Sequence, residues 1–173
     1  AMSHRFIIIG AGSAGCVLAE RLSADPGNRV LLLEAGGWDR NPLIHIPAAL
    51  PAVAPNPSLN WGYHTQPEAE LNGRRLFWPR GKTVGGSSSI NGMVYTRGNA
   101  GDYDRWAALG ADGWAYADVL PWFRRSEANE RGEDAFHGAS GPLHVTRGRR
   151  TSELCDLFVE AGLQAGYRAI DDF

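Results

Sequence analysis

Residues 6–15 read FIIIGAGSAG, an apolar run followed at once by the spacing G-x-G-x-x-G. A second apolar run, VLLL at residues 30–33, is followed directly by Glu34. The order strand, glycine-rich turn, helix, strand and acid is typical of the α/β unit that binds the ADP half of a dinucleotide. The sequence therefore predicts an α/β fold with a parallel sheet and a dinucleotide site at its first turn.

Each glycine of this motif has a separate physical task. Gly10 permits a tight turn, Gly12 lets the backbone approach a pyrophosphate, and Gly15 lets the following helix lie close to the sheet. The helix N-terminus offers N–H groups and partial positive charge to phosphates, and Glu34 can accept hydrogen bonds from both ribose hydroxyls. A flexible Gly/Ala/Ser turn is the alternative interpretation, but the second strand and the acid favour a dinucleotide.

The helix that follows the motif is predicted over residues 13–23. Its apolar side chains recur at helical spacing and should pack on the sheet: Ala14, Val17, Leu18 and Leu22. Both strands are continuous apolar runs, which predicts that helices or loops cover both faces of the sheet.

Composition limits the function further. The chain has 173 residues, 43% of them hydrophobic, and a formal net charge of −2, which argues against a nucleic-acid partner. Two cysteines, Cys16 and Cys155, cannot form a disulfide framework, and no His, Cys, Asp or Glu spacing predicts a metal site. We expect a cytoplasmic location, either free or peripheral to the inner membrane.

The middle of the chain is rich in proline. The stretch 42–67 contains six prolines and cannot form a continuous membrane-spanning helix, so residues 42–80 are predicted to form an ordered, lid-like loop. Helices are predicted from about 102 to 110, from 118 to 127 with Pro121 in the first turn, and over 154–166. A polar connection over 127–141 leads to a strand at 143–145.

A second glycine-rich stretch reads GKTVGGSSSIN at residues 81–91. Its backbone N–H groups and hydroxyls could hold a pyrophosphate or the edge of a planar ring. For glycine and serine content alone, a surface loop remains the simpler interpretation.

The segment 81–104 resembles the first signature of the glucose–methanol–choline (GMC) oxidoreductases, with Asn91, Tyr95, Gly98 and Asp104 at matching positions. The stretches 59–63, 78–81, 93–98 and 136–143 are similar to the branch that contains choline and aliphatic-alcohol dehydrogenases. The resemblance implies a Rossmann-like FAD-binding domain over 1–140 and the start of an α+β substrate-binding domain over 141–173. The remainder of both domains is expected beyond residue 173, because only two strong strands precede the helical part.

The resemblance also implies the cofactor and its contacts. FAD would meet Gly12, Ser13 and Ala14 at its pyrophosphate and Glu34 and Ala35 at its adenosine, with Trp61 in the covering loop. The remaining contacts would line the extended cofactor and its isoalloxazine ring: Arg80, Gly81, Val84, Gly86, Ser87, Asn91, Gly92, Met93 and Val94. Where some members carry a histidine that bonds FAD covalently, this chain has Ile90. Non-covalent FAD is therefore expected.

By the same resemblance, the reaction would oxidise a primary alcohol to an aldehyde by hydride transfer to flavin N5, and O2 or a quinone-linked acceptor would reoxidise the flavin. The catalytic histidine of the family lies in its C-terminal portion, so no catalytic residue is assigned here, and residues 1–173 alone should show no turnover. Two alternatives stay open: an NAD-dependent dehydrogenase and a non-catalytic flavin-binding module.

Overall fold

The computed structural model describes residues 5–148 and 152–170. The chain divides into two compact units, Ala1–Val94 and Tyr95–Phe173. The predicted domain boundary after residue 140 concerns a longer protein and stays a prediction.

The first unit begins with the predicted strand–helix–strand unit. Strands β1 (Phe6–Ile9) and β2 (Val30–Leu33) pair in parallel, with Phe6 opposite Val30 and Ile9 opposite Leu33. Helix α1 (Ser13–Ser23) makes the crossover and packs on both strands. These bounds confirm the prediction from the sequence.

The packing of this unit differs from the prediction. Val17 and Leu18 of α1 are exposed, whereas Gly15 is buried and Cys16 and Leu22 are half-buried. Burial along β1 alternates, so Ile7 and Ile9 are exposed within the described residues, and the expected cover on both faces of the sheet stays a prediction. Burial along β1 follows the two-residue period of the pleat, whereas in β2 Val30 and Leu31 are half-buried and Leu32 and Leu33 are exposed.

The proline-rich segment was predicted as a loop and is instead partly helical. Two short 3-10 helices at Pro42–His45 and Pro47–Ala49 lead into helix α2 (Leu50–Val53). Prolines occupy the first turns of these pieces, where their missing N–H costs no hydrogen bond. The rest of the segment carries a small antiparallel pair, β3 (Tyr63–His64) with β4 (Phe77–Trp78).

A small apolar cluster holds this segment. Val53, Leu59 and Ile90 are buried together, with Leu43 and Ile44 packed against them. Ile90 belongs to the second glycine-rich stretch. The cluster therefore connects that stretch to the proline-rich segment.

The described part of the second unit contains three helices and one parallel pair of strands. Helix α3 (Ala100–Ala108) is followed by α4 (Tyr116–Ser126), strand β5 (Glu127–Asn129), strand β6 (Leu143–Val145) and helix α5 (Glu153–Gln164). Strands β5 and β6 pair in parallel. Strand β6 was predicted, whereas β5 was read as part of a polar connection.

Helix α4 starts earlier than predicted, so Pro121 lies inside the helix and not in its first turn. The start of α4 is fixed by Asp104, whose Oδ1 accepts from the backbone N–H of Tyr116 at 2.9 Å. Aromatic contacts of Tyr103 with Tyr116 and Phe123 also join α3 to α4. These contacts offset the hydrogen bond that a proline cannot donate.

A buried ion pair organises the second unit. The Glu127 side chain is fully buried, and its carboxylate accepts from the Arg97 guanidinium and from Asn129 Nδ2 at 2.9 Å. Arg97 also donates to the carbonyl of Phe136. The pair therefore joins three separate stretches of the chain around β5.

The turn before β6 is built on Asp134. Its Oδ1 accepts from the backbone N–H groups of Phe136 and His137, and its carboxylate lies 2.9 Å from His137 Nδ1. The hydrogen bond with the His137 ring, followed by those two backbone N–H groups, lowers the pKa of Asp134 from 3.8 to about 2. The stabilisation that this turn draws from the carboxylate is complete above pH 3.8 and is lost as pH falls through about 2.

Within residues 5–148 and 152–170, none of the helices is both long enough and apolar enough to cross a membrane.

Replacing Glu127 by Gln should destabilise the protein by about 3–5 kcal/mol, because it leaves the Arg97 guanidinium buried without its counter-charge. The matched control is Glu133→Gln, which removes an exposed carboxylate that pairs with Arg124 at 2.5 Å. That control should cost less than about 1 kcal/mol. Urea unfolding of both variants measures the difference, and equal losses would show that the buried pair does not organise this unit.

Candidate cofactor site

A cleft of about 660 Å³ lies in the first unit, at the carboxyl ends of β1 and β2. Both glycine-rich stretches line it, together with the ends of the two strands and the segment around β3: Ile9, Gly10, Gly12, Leu33, Glu34, Ala35, Trp61, Tyr63, Arg80, Gly81, Gly86 and Ser87. Ligands of open α/β sheets bind at this position, outside the carboxyl ends of the strands.

The two glycine-rich stretches meet backbone to backbone. The N–H of Gly85 donates to the carbonyl of Ala11 at 2.7 Å. Gly86 is buried with φ +57°, and a Cβ on it would lie 2.9 Å from the Cα of Gly12. Only glycine combines this left-handed backbone with so close an approach.

The first turn of α1 is open to a negatively charged ligand. Its N-cap, Gly12, makes no side-chain capping bond, and the first turn carries no acidic residue. The first N–H groups of a helix have no partner within it, and the helix dipole gives this end partial positive charge. Gly15 sits beneath the turn, where a Cβ would overlap the carbonyl oxygen of Gly10.

Glu34 is fixed by the backbone on both sides. Its Oε2 accepts from the N–H of Ala11 at 2.7 Å, and its Oε1 accepts from the N–H of Gly36 at 2.8 Å. A carboxylate has about four acceptor positions, so each oxygen keeps one for a further donor. The side chain lines the cleft in a fixed orientation and can still accept from two hydroxyls.

The second stretch is fixed to the sheet end by Thr83, which is fully buried. Its Oγ1 donates to the carbonyl of Gly37 at 2.9 Å, and the N–H of Val84 donates to the same carbonyl. Val84 therefore belongs to the support of the cleft and is absent from its lining.

An aromatic layer forms one wall of the cleft. The rings of Trp61 and Tyr63 are nearly parallel, at 8°, with centroids 5.9 Å apart. The Lys82 ammonium lies 4.8 Å from the Trp61 ring centroid, within the range of cation–π attraction. A flat ligand could therefore lie against this wall.

Nine of the residues that were predicted to contact FAD line this cleft, and the others lie outside its lining. Gly10, Gly12, Glu34, Ala35, Trp61, Arg80, Gly81, Gly86 and Ser87 line the cleft. Ser13 and Ala14 lie in the exposed first turn of α1, next to Gly12.

The segment 91–94 lies apart from that lining. Asn91 and Met93 line a second, smaller cavity of about 150 Å³, which also contains Asp39 and His45. Asn91 Oδ1 accepts from the N–H of Met93 at 2.9 Å and holds it at φ +57°. Gly92 lies between them, and Val94 is exposed.

Sequence reasoning missed four residues of this region. Ile9, Leu33 and Tyr63 line the cleft, and Asn60 supports it from behind. Ile9 and Leu33 could have been predicted from their positions directly before Gly10 and Glu34. The last residue of each strand lies at the edge of the sheet where the cleft is. Among the described residues, no group of three His, Cys, Asp or Glu side chains is placed to hold a metal ion.

Comparisons with known proteins agree with this geometry. Residues 4–172 match the family model described as GMC oxidoreductase. The chain is 56% identical to the oxygen-dependent choline dehydrogenase of Rhizobium etli (strain CIAT 652) over 172 residues, which is 99% of this chain and 31% of that protein. The chain thus spans about a third of the length of such relatives.

Solved structures give the same result. Pyridoxine 4-oxidase from Mesorbium loti superposes with a TM-score of 0.88 at 40% identity, covering 94% of this chain and 32% of that one. An FAD-dependent oxidoreductase from Chaetomium thermophilum superposes with a TM-score of 0.84 at 32% identity, covering 98% of this chain and 31% of that one.

Replacing Gly86 by Ala should lower the free energy of unfolding by about 1–3 kcal/mol, because the added methyl group meets Gly12 and strains a left-handed backbone. Gly37→Ala is the matched control, since a Cβ there meets nothing within 4 Å. Urea unfolding compares the two variants. If Gly86→Ala were as stable as Gly37→Ala, the close docking of the two stretches would be wrong.

Proposed function

Because the chain belongs to the GMC oxidoreductase family, we propose that it forms the FAD-binding part of a flavoenzyme that oxidises a primary alcohol to an aldehyde. The observation that carries the proposal is the single cleft lined by both glycine-rich stretches together with Glu34 and Arg80. One such stretch would serve any dinucleotide. The second, docked on the first, is the feature that a nicotinamide enzyme does not need.

The residues of the cleft fit FAD in charge and in shape. The open turn at Gly12, Ser13 and Ala14 would hold the pyrophosphate, and the fixed carboxylate of Glu34 would accept from the ribose hydroxyls beside Ala35. Gly81, Gly86 and Ser87 would line the body of the cofactor, with Trp61 against it. Asn91–Val94 lie outside this lining, and only the resemblance to the family assigns them to the isoalloxazine ring.

When bound, FAD supplies the hydride acceptor, N5 of its ring, for a substrate carbon that bears the hydroxyl group. This chain binds and orients the cofactor. Because the family carries its catalytic histidine in the C-terminal portion, we place the group that takes the hydroxyl proton outside residues 1–173. The described histidines, at positions 45, 64, 137 and 144, are absent from the lining of the cleft. Either O2 or a quinone-linked acceptor would then reoxidise the enzyme.

The full-length protein should purify with the two visible absorption bands of oxidised flavin, and a primary alcohol should bleach them in the absence of oxygen. Choline and a short alkanol are the substrates to compare. A colourless protein that reduces NAD with the same alcohols would contradict the proposal.

Glu34→Gln should weaken FAD binding at least about tenfold in this protein, because the amide N–H₂ would face the N–H of either Ala11 or Gly36. The matched control is Glu20→Gln, which makes the same change at an exposed position of α1. Titration of the apoprotein with FAD compares the two.

FAD should be bound without a covalent link. The Ile90 side chain has no nucleophilic atom, and it is buried with Val53 and Leu59. Acid precipitation should therefore release all of the yellow colour into the supernatant, as it should from a control of apoprotein mixed with free FAD. Colour that stays in the washed pellet would contradict this prediction.

A further inference from the structure

One buried side chain behind the cleft joins three backbone segments. Asn60 is 4% exposed. Its Oδ1 accepts from the N–H of Gly62 at 3.0 Å and from the N–H of Arg80 at 2.9 Å, and its Nδ2 donates to the carbonyl of Ala54. All the polar atoms of the carboxamide are therefore engaged with backbone.

The backbone on both sides of Asn60 continues this connection. Asn60 and Gly81 form an antiparallel bridge, the N–H of Trp61 donates to the carbonyl of Arg80 at 2.9 Å, and the N–H of Lys82 donates to the carbonyl of Leu59. The segment that carries Trp61 is thereby paired with the start of the second glycine-rich stretch.

The residues next to Asn60 reach the cleft, whereas Asn60 does not line it. Trp61 and Arg80 both contribute to the lining, and Trp61 is further constrained by Tyr63 and Lys82. Any effect of Asn60 on a ligand must therefore pass through these neighbours.

The chemistry of the position is demanding. The side chain must accept two N–H groups at one end and donate to a carbonyl at the other, which a carboxamide of this length does. A carboxylate keeps the two acceptor bonds but turns an acceptor toward the carbonyl of Ala54, and an apolar side chain leaves all three backbone groups unpaired in a buried place.

We infer that Asn60 is a positioning residue for the cofactor: it holds the Trp61 segment and the backbone of Arg80 in register as one wall of the cleft. The inference rests on the proposed function, because the ligand whose binding it governs is FAD.

The test uses the full-length protein and the variant Asn60→Asp. The matched control is Asn72→Asp, the same change at an exposed turn that lies away from the cleft. We expect the dissociation constant for FAD, measured by flavin fluorescence on titration of apoprotein, to rise about tenfold or more in Asn60→Asp and to stay unchanged in Asn72→Asp. If Asn60→Asp does not fold, Asn60→Ser takes its place, since it leaves room for a water.

A double-mutant cycle separates positioning from a merely structural role. In a Trp61→Ala background, the effect of the Asn60 substitution on FAD affinity should shrink at least about threefold, because the ring that it positions is gone. An undiminished effect in that background, or FAD affinity equal to that of the wild type in the single variant, would overturn the inference.

The wild type distinguishes the two possible failures. Wild-type protein that binds no FAD would refute the proposed function and the inference with it. Wild-type protein that binds FAD while the Asn60 variants bind it equally well would refute the inference alone.

Discussion

The cleft depends on one close approach of two backbones. The N–H of Gly85 reaches the carbonyl of Ala11, and Gly86 lies against Gly12 with no side chain between them. A side chain at Gly86 would meet the Cα of Gly12 and push the two stretches apart, whereas a Cβ at Gly12 would meet nothing within 4 Å. The absence of a side chain at Gly86 thus sets how closely the two stretches that line the cleft approach each other.

The supports of this contact are mostly backbone hydrogen bonds, aided by the buried side chains of Thr83 and Asn60 and the half-buried side chain of Glu34. Thr83 fixes the second stretch to Gly37, Glu34 fixes the first turn through Ala11, and Asn60 fixes the wall at Arg80. Buried polar groups cost free energy when they lack hydrogen-bond partners, and each of these three side chains bonds to backbone groups. They give the cleft a defined shape that apolar packing alone would not specify.

The sequence predicted the parts of the fold that depend on local patterns. The unit β1–α1–β2, the position of Glu34 and strand β6 follow from apolar runs, glycine spacing and turn residues. That the second glycine-rich stretch belongs to the same site was implied by resemblance to a family, because its composition alone equally favours a surface loop.

Long-range partners were not predictable in this way. Strand β5 contains Glu127, whose burial depends on Arg97, thirty residues earlier, so its polar sequence read as a connection. The sequence around Asn60 does not indicate that its side chain bonds to the backbone of Ala54 and Arg80. The alternating burial of β1 also depends on which elements pack against the strand. A uniformly apolar sequence does not show which of its faces they cover.

The exposed apolar residues at the ends of β1 and β2 give the cleft surface that a ligand could remove from water. Ile9 is 86% exposed and Leu33 is 46% exposed, and both lie in the lining beside the charged Glu34 and Arg80. A ligand with an apolar ring and an adjacent polar chain would remove this apolar surface from water and satisfy the polar groups in one step. Because both backbone stretches line the cleft, such a ligand would bind only where they are docked, and its binding free energy would add to the stability of the folded first unit. Loss of the docking contact at Gly86 should therefore appear both as lower stability and as weaker ligand binding, since the two quantities are linked through the same geometry.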